Sequence, residues 1–452
     1  MLHFLSRYCM GKTSLGTWHR QIFRQATSTT SRSAICSRPA KRGMPTCELW
    51  FNRRNTPKGN EQRAAQEGNS MNEAERNLTS DLDAEVMPAP RRMPSIDFDE
   101  ALAMFFVVLY HSHYYTTNFV EYGASAFPYY LLNGLLSTCV PMFFLVNGYL
   151  LFRKELNLRK HIIKTVRLTV VTIIWSFIIP VVLCPITGYE PTIKELLSWG
   201  WYRTMGWNDQ LWFIGALVCI YIFFPILKVA YDKYRPAFLF FAAVCAIMTF
   251  GVVLLNQVIS VALCGLFNRG SLFDFNYFAS FDPFRGIHGY SFVYFCLGGL
   301  LWDKRGALLK RAPNKRVALA VATLVISSAL LAAWGWLASS VNGKLFDTVY
   351  HGYDTVFVLA NTLALFVLGL SYQGKAKTPH RFILAVSQNT LGILYVHNMV
   401  RVTLNLLVDS SGALTQLCSN LIGSAFYALI ILSISLGIVC ILKKTPVLKQ
   451  LV

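Results

Sequence analysis

Apolar blocks of about twenty residues recur from residue 96 to residue 442, and they leave few folds open. Twenty residues wound as a helix cross the ~30 Å hydrocarbon layer of a bilayer. Inside lipid, only helices and closed barrels satisfy their own backbone. Barrel strands would alternate polar and apolar residues in ~10-residue segments, and these blocks do not. Composition agrees: 14% of the 452 residues are charged and 54% hydrophobic, where soluble domains carry about 25% charged residues. The chain therefore reads as all-α, a polytopic transmembrane helical bundle of about ten spans. They are placed near 96–115, 128–152, 162–184, 210–231, 236–256, 287–302, 317–341, 353–371, 382–404 and 419–442. The apolar segment 257–267 either lengthens the fifth span or lies at the interface.

Charge in the connections orients these spans. Arg91 and Arg92 precede the first. Arg153, Lys154, Arg159, Lys160, Lys164 and Arg167 follow the second. Further basic groups follow the fourth, sixth, eighth and tenth, and the intervening connections hold few. By the positive-inside rule both termini are cytoplasmic, in a multi-pass protein of the cell (inner or plasma) membrane. The net charge of +19 thus needs no nucleic acid: residues 1–70 hold twelve Lys and Arg against three acids, and the rest lies largely in short loops. The eleven cysteines form no C-x-x-C pair and sit mostly in apolar runs, where a thiol behaves as a small hydrophobe. They predict neither a disulfide framework nor a metal site. Residues 1–95 form a polar tail, rich in Arg, Ser and Thr over its first sixty positions. That bias fits a disordered cytoplasmic tail, an over-extended start with Met71 as the first residue, or an organelle signal. A transmembrane domain over 96–444 follows, with a short C-terminal tail at 445–452.

The first span carries the chain's most unusual polar groups: Asp97, Asp99 and Glu100 at one end, His111 and His113 near the other. Ionisable residues within a span mark a functional site by default. Eleven residues are close to three helical turns, so Glu100 and His111 share a face, roughly 16 Å apart along the axis. Asp97 lies within about 40° of that face, whereas Asp99 and His113 point elsewhere. The acids also suit a helix N-terminus electrostatically. Histidine is the side chain best matched to proton transfer near neutral pH. His397, about fifteen residues into the ninth span, reaches the depth of His111 and is a candidate to line the same cavity. At the outer mouth, Asp209 leads into span four, and Arg285 and His288 lead into span six. The nearby tryptophans and tyrosines fit an interfacial belt. At the inner side, Arg159, Lys160, Lys164 and Arg167 form a basic cluster. It suits anionic lipid heads or a phosphate-bearing donor.

Several segments now line up with a known family. I-D-x-x-x-A-x-A-x-x-x-V-V-L-x-H runs from Ile96 to His111. PMFFLVNGYLL (141–151), LWFIGALVCIYIFFP (211–225), FCLGGLLW (295–302) and SQNTLGILYVH (387–397) follow in order. Together they resemble the acyltransferase 3 family of integral membrane proteins, from about Ser95 to Lys444. The resemblance implies transfer of an acyl group, most often acetyl, to an extracytoplasmic glycan. It implies an essential role for the first-span histidine, here His111. Two positions depart from the family pattern: Glu100 stands where Arg is common, and Asn147 where Ser is common. A basic role at the inner end would then pass to another residue such as Arg159 or Arg167.

The expected activity is an O-acetyltransferase (EC 2.3.1.-) for polysaccharide modification. His111 is its general base, with Asp97 or Glu100 at the donor end and Arg159, Lys160, Lys164 and Arg167 binding the donor. His397, Arg285, His288 and Asp209 line the acceptor site. No cofactor is permanently bound and no metal is expected. The partners are the lipid bilayer, acetyl-CoA or another acyl-CoA, and a surface polysaccharide or lipid-linked glycan. The rival reading is a proton-coupled transporter of a small polar substrate, because buried acids and histidines also build proton relays. The absence of an evident internal repeat weighs against it.

Overall fold

The computed structural model describes residues 92–203, 206–267, 269–275, 289–310, 312–372 and 377–452. Expectations for the tail at 1–91, and for Arg285 and His288, fall outside these described residues. No strand occurs among them. The principal helices are α1 (Pro94–Ser112), α2 (Cys139–Phe152), α3 (Leu158–Thr187), α4 (Ile193–Tyr202) and α5 (Trp212–Lys233). They continue as α6 (Arg235–Ala246), α7 (Val252–Phe267), α8 (Tyr290–Lys310), α9 (Pro313–Asn342) and α10 (Val356–Gly369). The last are α11 (Lys377–Ser387), α12 (Thr390–Asp409) and α13 (Leu421–Lys444).

Seven helices among the described residues are long and apolar enough to cross a membrane. They are Asn133–Phe152 (ending in α2), α3, Asp209–Lys233 (containing α5), Arg235–Phe267, α9, α12 and α13. Three other expected spans coincide with helices outside that set: α1, which carries Asp97, Asp99 and Glu100, α8, and the 14-residue α10. A π-turn at Ile247–Gly251 joins α6 to α7 in one 33-residue rod. The segment 257–267 therefore lengthens the fifth span. The ninth expected span, 382–404, is broken. α11 ends at Ser387, and α12 starts afresh at Thr390. The polar run Ser387-Gln388-Asn389 makes the break: Ser387 turns its hydroxyl to α1, and Asn389 caps back onto the Ala385 carbonyl.

Buried apolar side chains gather around α1, α2, α5 and α12. The Asn133–Phe152 segment has 78% of its apolar window buried, against 17% for the α6–α7 rod, so α2 is central and the rod peripheral. The most extensive helix pair is α2 with α8, and glycines make it possible. A Cβ on Gly148 would stand 1.9 Å from the Phe295 carbonyl oxygen, and one on Gly298 would stand 2.1 Å from that of Leu145. In lipid, where no hydrophobic force drives helices together, such close backbone contact supplies the packing energy. Two of the segments recognised in the sequence, 141–151 and 295–302, thus meet face to face. α3 runs on through Pro180 and Pro185 and ends at Gly188. Gly188 adopts φ 70, a left-handed conformation that favours glycine.

Candidate active site

α1 builds the floor of the site. Glu100, Met104, Val107 and His111 fall at helical spacing on one stripe, and all four line a cavity of about 460 Å³. α2 adds Val140, Phe143 and Asn147. α3 adds Lys164, Arg167, Leu168 and Val171, again one helical face. α5 adds Trp212, Phe213, Leu217 and Tyr221, and α12 adds Leu391 and Leu394. The walls are therefore mostly apolar, with charge at one end. Lys164 and Arg167 line that end, together with Gln450, Leu451 and Val452. Gln210, Trp212, Tyr350 and Tyr353 line the opposite end, near the C-terminus of α1. His111 lies deep in the bundle, yet its side chain is solvent-accessible. The surface it exposes is cavity wall.

Two histidines meet at this depth. The His111 and His397 ring centroids are 5.5 Å apart, at 48° to one another. His111 Nδ1 lies 2.8 Å from the Val107 carbonyl oxygen, and His397 Nδ1 lies 2.9 Å from that of Leu394. A carbonyl oxygen only accepts, so each Nδ1 carries the hydrogen and each Nε2 keeps a lone pair. His397 Nε2 is buried and has no hydrogen-bond partner among the described residues. Arg401, one turn beyond His397, donates through Nε to the Asn398 side chain, 2.7 Å away. An imidazole held in one tautomer by its own helix, with its other nitrogen open to a cavity, is arranged as a general base.

Beneath the histidines, the polar wall is a chain of hydrogen bonds. The Tyr221 hydroxyl donates to Asn147 Oδ1 at 2.8 Å, and Asn147 Nδ2 donates to the Phe143 carbonyl. Asn147 thus holds two partners at a position where the family pattern has Ser. Lys164 Nζ lies 5.5 Å from the centre of the Tyr221 ring, within cation–π range. Glu100 reaches the Ser387 hydroxyl at 2.6 Å, and Asp97 contacts the same hydroxyl at 2.8 Å. One hydroxyl holds one hydrogen, so it serves one carboxylate at a time. Asp97 is further held by Arg92, at 2.9 Å.

The expected site residues thus divide. Glu100, His111, Asn147, Lys164 and Arg167 share the cavity, and His397 backs it through His111. Asp97 is not part of the lining; it anchors the N-terminus of α1. Arg159 and Lys160 are exposed on α3, one to two turns before the lining stripe. Asp209 is exposed, while its neighbour Gln210 enters the wall. His113 turns away to stack on Tyr115, and it does so because it lies just past the end of α1 in extended backbone, not because of a helical angle. Sequence reasoning missed Arg401, although His397-x-x-x-Arg401 puts both on one helical face. It also missed Tyr350 and Tyr353, which come from the α9–α10 connection. Asp347 fixes that connection by accepting from the Tyr110 hydroxyl and the Val349 amide. The Gln450–Val452 lining was equally unforeseen: Arg167 donates to the Gln450 carbonyl at 3.1 Å, and Trp175 Nε1 to that of Leu451 at 2.7 Å. No cluster of three or more metal-ligating side chains occurs among the described residues.

A family model described as an acyltransferase domain matches residues 93–444. No curated protein and no solved structure matches the chain.

Proposed function

The chain belongs to the acyltransferase 3 family, and from that premise we propose that it is an O-acetyltransferase whose acyl donor and acceptor enter one cavity from opposite ends. It is a membrane acyltransferase with several apolar helices long enough to cross a bilayer. The observation that carries the finer reading is the single stripe of α1 that puts a free imidazole nitrogen of His111 in a cavity with a basic end and an aromatic end.

The donor in this reading is acetyl-CoA. Its phosphates suit Lys164 and Arg167, and its narrow arm suits the apolar walls at Met104, Leu168 and Leu217. The basic end is then the cytoplasmic one. The acceptor is a glycan hydroxyl, and Gln210, Trp212, Tyr350 and Tyr353 form its side of the cavity, in place of Asp209. His111 Nε2 takes the hydroxyl proton. The oxygen attacks the thioester carbonyl carbon, a tetrahedral oxyanion forms, and the C–S bond breaks to release the coenzyme thiolate. That thiolate can recover the proton from His111. Arg401 supplies a fixed positive charge near the pair, which favours the oxyanion. Glu100, tied to Ser387, marks the donor end without offering the positive charge common in the family.

The test is acetyl transfer from labelled acetyl-CoA to membrane glycans by wild-type and His111→Ala protein at matched membrane insertion. Loss of a general base costs about 10²–10⁴-fold, and a loss of that order is expected. Wild-type transfer by the variant would remove His111 from the mechanism. Flux of a polar solute through liposomes without any acyl donor would instead favour a transporter.

A further inference from the structure

A second groove, of about 640 Å³, opens between the N-terminal turns of α9 and the C-terminal turns of α10, away from the histidines. Its walls are apolar: Leu319 and Ala320 on α9, Leu363 and Val367 on α10. From Arg316 to Thr323 the lining runs seven residues, roughly 10 Å of helix. One end is charged. Lys315 is exposed there, and Arg316 is only 8% exposed. Arg316 makes two long hydrogen bonds, to the Leu308 carbonyl at 3.4 Å and the Ser371 hydroxyl at 3.2 Å. Its Nε is buried with no hydrogen-bond partner among the described residues, and no carboxylate there forms an ion pair with it.

A buried guanidinium is normally paired, because an unpaired buried charge is costly. The groove suggests what pairs it. The charged end lies within the first turn of a 30-residue helix, whose N-terminus also favours an anion. The apolar walls lead from that end along two helices, α9 being one of the seven fit to cross a membrane. The required occupant has an anionic head and an apolar tail. We propose that this groove is a binding site for an anionic phospholipid, with its phosphate at the Lys315–Arg316 end and one acyl chain along Leu319, Leu363 and Val367. The site is separate from the acyl-transfer cavity, and the proposal does not depend on the reaction assigned to that cavity.

The test is native mass spectrometry of the full chain in neutral detergent, titrated with phosphatidylglycerol or with phosphatidylcholine of the same acyl chains. One basic group near a lipid head contributes about 1 kcal/mol, so a one-to-one phosphatidylglycerol adduct should be favoured at least about fivefold. Arg316→Gln should bring it to the phosphatidylcholine level. Lys315→Gln, an exposed change that leaves the packing intact, should cut the preference about twofold or more and decides the matter if the Arg316 variant does not fold. Equal retention of the two lipids, or a preference unchanged in Lys315→Gln, would overturn the assignment. So would displacement of the lipid by excess inorganic phosphate, since the apolar groove would then contribute nothing.

Discussion

His111 and Arg401 answer different questions about the chemistry. In the proposed mechanism His111 takes the proton, while Arg401 holds a positive charge one turn beyond His397 and donates to Asn398, which in turn reaches the lining residue Gln210. Replacing Arg401 with Gln should lower kcat about tenfold, the equivalent of ~1.4 kcal/mol in the transition state, with little change in KM for the acyl donor. Arg401→Lys should recover most of the loss. A purely structural role would instead lower the yield of folded protein and leave the kcat of the surviving fraction unchanged. Steady-state kinetics on purified variants checks this. Glu100 remains the departure that most distinguishes this chain from the family pattern. Its contact with Ser387 offsets part of the solvation lost there, although Glu100 shares that one hydroxyl hydrogen with Asp97.

The pairing of α2 with α8 depends on glycine at the points of closest approach. At Gly148 the facing atom is a backbone carbonyl on α8, which has no side-chain rotamer to yield. Gly148→Ala should therefore destabilise the bundle by about 1–3 kcal/mol, read as a lower Tm in detergent. Gly437 on α13 meets no atom within 4 Å of its would-be Cβ. Gly437→Ala should leave Tm unchanged or raise it, since alanine is favoured over glycine in a helix by about 1 kcal/mol. The sequence reveals these elements well, because a period of 3.6 and a run of twenty apolar residues are local signals. It puts Glu100 and His111 on one face correctly, since that is a property of one helix. It does not reveal which faces meet. Asp97, Arg159 and Lys160 look as suitable as Glu100, Lys164 and Arg167, and only packing against α11, α5 and α12 separates them. Arg401 was legible in principle from its spacing to His397, whereas Tyr350 and Tyr353 depend on how a connection folds back over the cavity.

For the molecule as a whole, the proposed sidedness rests on the alternation of basic and non-basic connections. Cysteines introduced at Lys160, before the membrane part of α3, and at Ser410, after α12, should react with an impermeant maleimide from opposite faces of sealed vesicles. Ser410 should be the one labelled from outside intact cells. Labelling of both positions from the same side would contradict the ten-span arrangement. The basic end of the cavity has one further property. Gln450, Leu451 and Val452 form part of its wall and are clasped there by Arg167 and Trp175. Anything fused behind Val452, whether a fluorescent protein or a purification handle, would start from the doorway through which the donor is proposed to enter. Reporters for this protein therefore belong ahead of α1.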